Sequence, residues 1–204
     1  MNNDLDPFAA EILEFWFGPD ATTETVSEEK GDMWFANGSN YDDIVRERFG
    51  DAITRAGAGA FDEWCVSPNG RLALIVLTDQ VPRHVHRGTP GAFATDAKAR
   101  EVCLAGIKLE ADKALTPIQR VVYYLPLEHA EDLALQERCV SFYRQLLEDV
   151  SQDNLKDYET NVGFAVAHLD VIARFGYFPH RNEILGRPLN DEEHAFLQEP
   201  NSSF

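Results

Sequence analysis

The chain has 204 residues, 44% hydrophobic and 26% charged, with a net charge of −17. This is globular composition, long enough to bury a core without disulfides or a metal, and it excludes disordered, collagenous and fibrous classes. The longest apolar run, residues 72–77, is far short of the ~18 needed to span a bilayer, and the acidic surface argues against nucleic acid and anionic membranes as partners.

In chain order the pattern predicts helices. Asp6 and Pro7 read as an N-cap and first-turn proline. Phe8, Ile12, Phe15 and Trp16 then recur at helical spacing up to Gly18. Trp34 and Phe35 form an apolar anchor in a polar stretch. A second helix is expected from Asn40, with Asp42 and Asp43 in its first turn, running through Phe49 and Ile53 to Gly57 and Gly59. Phe61 and Trp64 pin the loop that follows.

A third helix is expected from Asn69, spanning 71–80 and ended by Pro82. Its run Leu72-Ala-Leu-Ile-Val-Leu77 has no polar face and should be central. A buried strand is the competing reading, disfavoured because no second strand candidate exists. Residues 96–109 form a fourth helix. Thr116 and Pro117 open a fifth, broken by Pro126. Residues 128–149 form a long helix with Glu128 as its opening acid, and 154–175 another. In the latter, Leu155, Tyr158, Val162, Ala165, Leu169 and Ile172 make a packing seam. Gly176 caps it. Asn190 and Glu193 suit a capping box for a last helix, stopped by Pro200. The expectation is a single all-α domain over residues 1–204, a compact array of antiparallel helix pairs.

The three cysteines, Cys65, Cys103 and Cys139, are dispersed and form no C-x-x-C pair. With an acidic N-terminus unlike a signal peptide, they suggest a reducing cytoplasm and no zinc ribbon.

Three segments carry chemistry beyond packing. The first holds Asp79, Gln80, Arg83, His84, His86 and Arg87, just past the most buried helix. The second holds Glu128, His129, Glu131 and Asp132. The third holds His168, Arg174, His180, Arg181, Asn182 and Arg187. Of 18 basic residues 13 are Arg, whose planar fork suits carboxylates and phosphates. A carboxylate beside a histidine fixes its tautomer and raises its basicity. Asp79, Glu128, His129, His168 and His180 have no close metal spacing, so no metal site is assigned. There is no G-x-S-x-G, no P-loop and no G-x-G-x-x-G.

FWFG at 15–18, LTDQVPRHVHRGTPGAFATD at 77–96, YLPLEHAED at 124–132 and RFGYFPHRNEILGR at 174–187 resemble the bacterial domain of unknown function 924. The resemblance spans about residues 10–197. It implies an all-α, tetratricopeptide-like fold, names no activity and no cofactor, and places its motif positions on Asp79, Gln80, Pro82, Arg83, Arg87, Gly88, Glu128, His129, His168, Arg174, Phe175, Gly176, Pro179, His180, Arg181 and Asn182. The chain departs from that pattern at Tyr177, where the family usually has Arg, and at Val81, usually Phe.

The reading is a polar site with Glu128, His129 and His168 as proton-handling groups. Asp79, Gln80, Arg83, Arg87, Arg174, His180, Arg181 and Asn182 would hold a small carboxylate or phosphate. Whether a reaction follows stays open. Two other readings also stay open. One is a buried, internally satisfied polar network. The other is a helical-repeat module that binds a protein or peptide.

Overall fold

Asp6 opens the first helix: its carboxylate accepts the N–H groups of Phe8 at 2.8 Å and Ala9 at 3.3 Å. With Pro7 in the first turn, α1 (Pro7–Phe17) buries Ile12, Phe15 and Trp16 and ends at Gly18, whose φ of 80° only glycine adopts without strain. This computed structural model describes residues 5–36, 38–200 and 202, and side chains there other than those of Phe35 and Ala36. Half of the expected Trp34–Phe35 anchor is thus described: after α2 (Glu28–Gly31), Trp34 stacks on Trp16 and donates its indole N–H to the Trp16 carbonyl. The side chain of Phe35 lies outside the described residues.

The helix expected from Asn40 is two helices, α3 (Asp42–Phe49) and α4 (Ala52–Gly57), parted at Gly50. Glycine is the weakest helix former after proline. Phe61 and Trp64 then stack at 4.5 Å, as expected of a pinned loop.

The central segment departs most from the sequence reading. Ser67 caps α5 (Pro68–Ile75), and the chain continues through a π turn (Val76–Gln80) into α6 (Val81–Val85). Residues 72–77 are fully buried in helix, so the strand alternative falls away. Pro82 does not end this helix. The Val81 N–H reaches back five residues to Val76, so the ladder has already slipped when Pro82 arrives. The carbonyl of Thr78, four residues before Pro82, instead accepts the Thr95 hydroxyl at 2.6 Å.

After α7 (Asp96–Lys108), α8 (Pro117–Glu128) tolerates Pro126 for a related reason. Carbonyls in its disturbed turn take outside donors: Tyr143 bonds that of Val121 at 2.9 Å and the Cys103 thiol that of Tyr123 at 3.2 Å. Glu128 therefore closes α8 rather than opening the next helix. Asp132 caps that helix, α9 (Leu133–Leu146). The long α10 (Leu155–Phe175) ends at Gly176, with φ 77°. Then come α11 (Asn182–Leu185) and α12 (Asp191–Phe196), the latter with both capping-box bonds of Asn190 and Glu193 and ending before Pro200.

Every regular element among the described residues is helical. The α5 segment and its π turn run through the centre, with α1, α7 and α8 packed on them, while α8, α9 and α10 stack in succession. A smaller apolar cluster of Val171, Ile172, Phe178 and Phe196 lies apart from the main core. No helix is long and apolar enough to cross a membrane among the described residues.

Candidate functional site

The three motif segments meet at Asp79. The π turn places this residue in full burial, and His129, from the turn after α8, sets its Nδ1 2.9 and 3.0 Å from the two carboxylate oxygens. The ring donates Nδ1–H to the carboxylate and so keeps its lone pair on Nε2. The Gln80 amide donates to the same carboxylate, and the Arg83 guanidinium stands 3.7 Å away. Burial by itself would raise Asp79, but the charges of Arg83 and His129 and the donated hydrogen bonds hold its carboxyl well below the usual range. Burial and the nearby Arg83 push His129 down, against the pull of Asp79.

Arg83 is braced on all sides. One nitrogen donates to the carbonyls of Asp79 (2.8 Å) and Ala92 (3.2 Å) and to the Asp96 carboxylate (2.9 Å), and the other reaches the second Asp96 oxygen.

Arg181 is held differently. It comes from the short turn Pro179–Arg181, is 6% exposed, and donates Nη1 to the His129 carbonyl at 3.1 Å. Its guanidinium carbon lies 4.3 Å from the Phe178 ring centre and 4.9 Å from that of Phe93. Its buried Nε has no hydrogen-bond partner, and no carboxylate of the described residues comes within 4.0 Å. Burial and the Arg83 charge lower it to about 10.

Glu128 and His168 form the adjoining wall. Burial raises the Glu128 carboxyl to about 8; the Tyr143 hydroxyl opposes this and the Asp79 charge adds to it. Glu128 is therefore protonated at neutral pH. His168 donates Nδ1–H to the Phe164 carbonyl at 2.9 Å and lies 3.5 Å from Glu128, with burial holding it down to about 3. The His129 and His168 rings are 6.4 Å apart. His180, pushed down to about 4 by burial and by Arg181, packs on Phe178.

Thus Asp79, Gln80, Arg83, Glu128, His129, His168, His180 and Arg181 gather in one region, and Asn182, the next residue in the chain, is fully buried. Two expected ligand residues do not join them. Arg87 forks onto Asp42 at 2.7 and 2.8 Å, where His84 also bonds, in a separate cluster. Arg174 is exposed, pairs with Glu192 and covers Phe175. Sequence reasoning in turn missed Asp96, Phe93 and Phe178 as builders of the region, and named Glu131 without giving it a role. Glu131 accepts the Phe178 N–H and both arms of Arg187, fastening the last motif to the second. Its place inside YLPLEHAED was the available signal. Tyr177 bonds Glu193 and carries Arg187 over its ring.

Two hollows of about 200 and 250 Å³ lie elsewhere, one near Phe17 and Thr116, the other near Trp64 and Ser67. Among the described residues no three His, Cys, Asp or Glu side chains gather as a metal would require.

The model of a family described as "Bacterial protein of unknown function (DUF924)" matches residues 12–201. The chain belongs to the DUF924 family. This DUF924 chain is similar to a solved structure titled "Structure of Protein of Unknown Function ATU0120 from Agrobacterium tumefaciens". The identity is 35%, over 93% of this chain and 96% of that one, with a TM-score of 0.76. Comparison with curated proteins gives no match.

Proposed function

We propose that this DUF924 chain binds a small anion, a carboxylate or a phosphate, at Arg181, beside His129 as proton acceptor. The observation that carries the reading is the Arg181 guanidinium: buried, charged, lacking an acid within 4.0 Å among the described residues, and with an unbonded Nε–H. Burying a cation with no counter-charge in contact is costly, and an anionic ligand would relieve that cost. Asp79 fixes the His129 tautomer, so that Nε2 can take a proton from a bound molecule. Glu128, neutral at pH 7, could return one.

Asp79, Gln80 and Arg83 satisfy one another and Asp96, which favours a structural role for those side chains. They brace the site rather than bind at it.

The test is thermal unfolding of the wild type and Arg181→Met against inorganic phosphate and small carboxylates. A ligand at ~100 times Kd should add ~2.7 kcal/mol. In a chain of this size that raises the midpoint by roughly 5–10 °C. The rise should vanish in Arg181→Met. A wild-type midpoint indifferent to every anion would end the reading.

A further inference from the structure

We infer that the anion taken at Arg181 is a planar monocarboxylate. The inference rests on the anion-binding reading above and narrows it.

The first argument is geometric. The Nη1 of Arg181 is committed to the His129 carbonyl, and Phe178 and Phe93 flank the guanidinium. What remains is the edge bearing Nε–H and Nη2–H, neither of which meets an acceptor among the described residues. Those two N–H groups are parallel and coplanar, and they match the two oxygens of one carboxylate. A phosphate can use the same fork. Its remaining oxygens would then leave the plane toward the aromatic rings, which offer no N–H donors.

The second argument is charge. Arg83 is answered by Asp96 at 2.9 Å and Asp79 at 3.7 Å, and Arg187 by Glu131 at 2.8 Å. Arg181 alone of the three has no acid in contact among the described residues, although Asp96, Glu131 and Asp79 act on it from further away. One negative charge set against its free edge would complete the ion pair that the other two already have. A second would be repelled by the nearby carboxylates of Asp79 and Asp96, and His168 and His180, held neutral by burial, would not offset that repulsion. The Phe93 and Phe178 rings also suit the hydrocarbon body of an organic acid better than a fully hydrated inorganic ion.

The experiment follows the arginine Nε–H signals of the ¹⁵N-labelled full chain during titration with acetate, benzoate and inorganic phosphate. Ionic strength is matched, and Arg181 is assigned by its loss in Arg181→Met. The expected result is a saturable shift of the Arg181 signal with a carboxylate, at an affinity at least about ten-fold tighter than for phosphate. Phosphate binding as tightly or tighter would overturn the carboxylate class and leave the anion-binding reading standing. No saturable response to any of the three ions would overturn both. Should Arg181→Met fail to fold, Arg181→Lys keeps the charge and loses the fork. Carboxylate affinity should then fall about ten-fold while phosphate affinity changes little, and equal losses for both ions would count against the proposal.

Discussion

Glu128 and the buried histidines pull the stability of the fold in opposite directions as pH changes. Burial raises Glu128 to about 8 from an ordinary 4.5, so its contribution is intact below pH 4.5 and is lost as pH rises through 8. His168 and His180 are held at about 3 and about 4. Their contribution is intact above their ordinary 6.5 and is lost as pH falls through those values. Above pH 6.5 Glu128 acts without them. The unfolding midpoint should therefore peak near pH 6.5, with a loss on the order of 2 kcal/mol by pH 8. Glu128→Gln resembles the protonated acid in shape and hydrogen bonding, so it should flatten the alkaline limb and leave the acid limb in place. Unfolding scans from pH 4 to 9 on both proteins check this, and an unchanged alkaline limb in the variant would assign it to another group. At this scale the sequence was informative about residue types and silent about pairs. An acid at 79 and a histidine at 129 were both legible as chemistry, but nothing in their separation says that they share a hydrogen bond. Arg87 and Arg174 looked equivalent to Arg181 by type and motif. Asp42 and Glu192 neutralise them, and those partners stand 45 and 18 residues away.

The elements were legible wherever the ends are capped by local side chains. Asp6 with Pro7, Thr116 with Gln119, and Asn190 with Glu193 all form within four residues, so a reader of the sequence meets both partners at once. The two interior prolines were misread for the converse reason. Whether Pro82 or Pro126 ends a helix depends on donors that come from distant parts of the chain. Thr95 is the clearest of these, because its hydroxyl supplies the bond to the Thr78 carbonyl beneath Pro82, and both residues are buried. Thr95→Val keeps the shape and removes the donor, stranding a buried carbonyl at a cost of ~1–3 kcal/mol. Thr95→Ser keeps the donor and should lose less. Urea unfolding of the two variants measures the difference. Equal destabilisation would show that methyl packing, not the hydrogen bond, sustains the turn. That turn carries Asp79, so the valine variant should also disturb the His129 resonance.

At the scale of the whole molecule, the polar cluster lies where two apolar bodies meet. The main core supplies Asp79, Glu128 and His129 through α5, the π turn and α8. The small cluster of Val171, Ile172, Phe178 and Phe196 holds the chain that delivers His180, Arg181 and Asn182. All-helical architecture was readable from periodicity and the lack of strand candidates, but this division was not, since no apolar periodicity in residues 177–190 announces a second cluster. The two bodies are joined by α10, which runs from one into the other, by the fork of Arg187 on Glu131, the Phe178 N–H to the same carboxylate, the Arg181 bond to the His129 carbonyl and the packing of Arg181 on Phe93. Segments with a small apolar cluster of their own open at lower free energy than the core they lean on. Phe196→Ala should therefore loosen the C-terminal body first, removing contacts with Phe175 that are partly covered by Arg174. In hydrogen exchange, amides over 176–199 should lose protection while those of α5, α8 and α9 keep theirs. Anion binding at Arg181 should weaken although the main core stays folded. If protection instead fell equally throughout, the two clusters would unfold as one cooperative unit. Arg181 would then be locked in place by the whole fold rather than by its own small cluster.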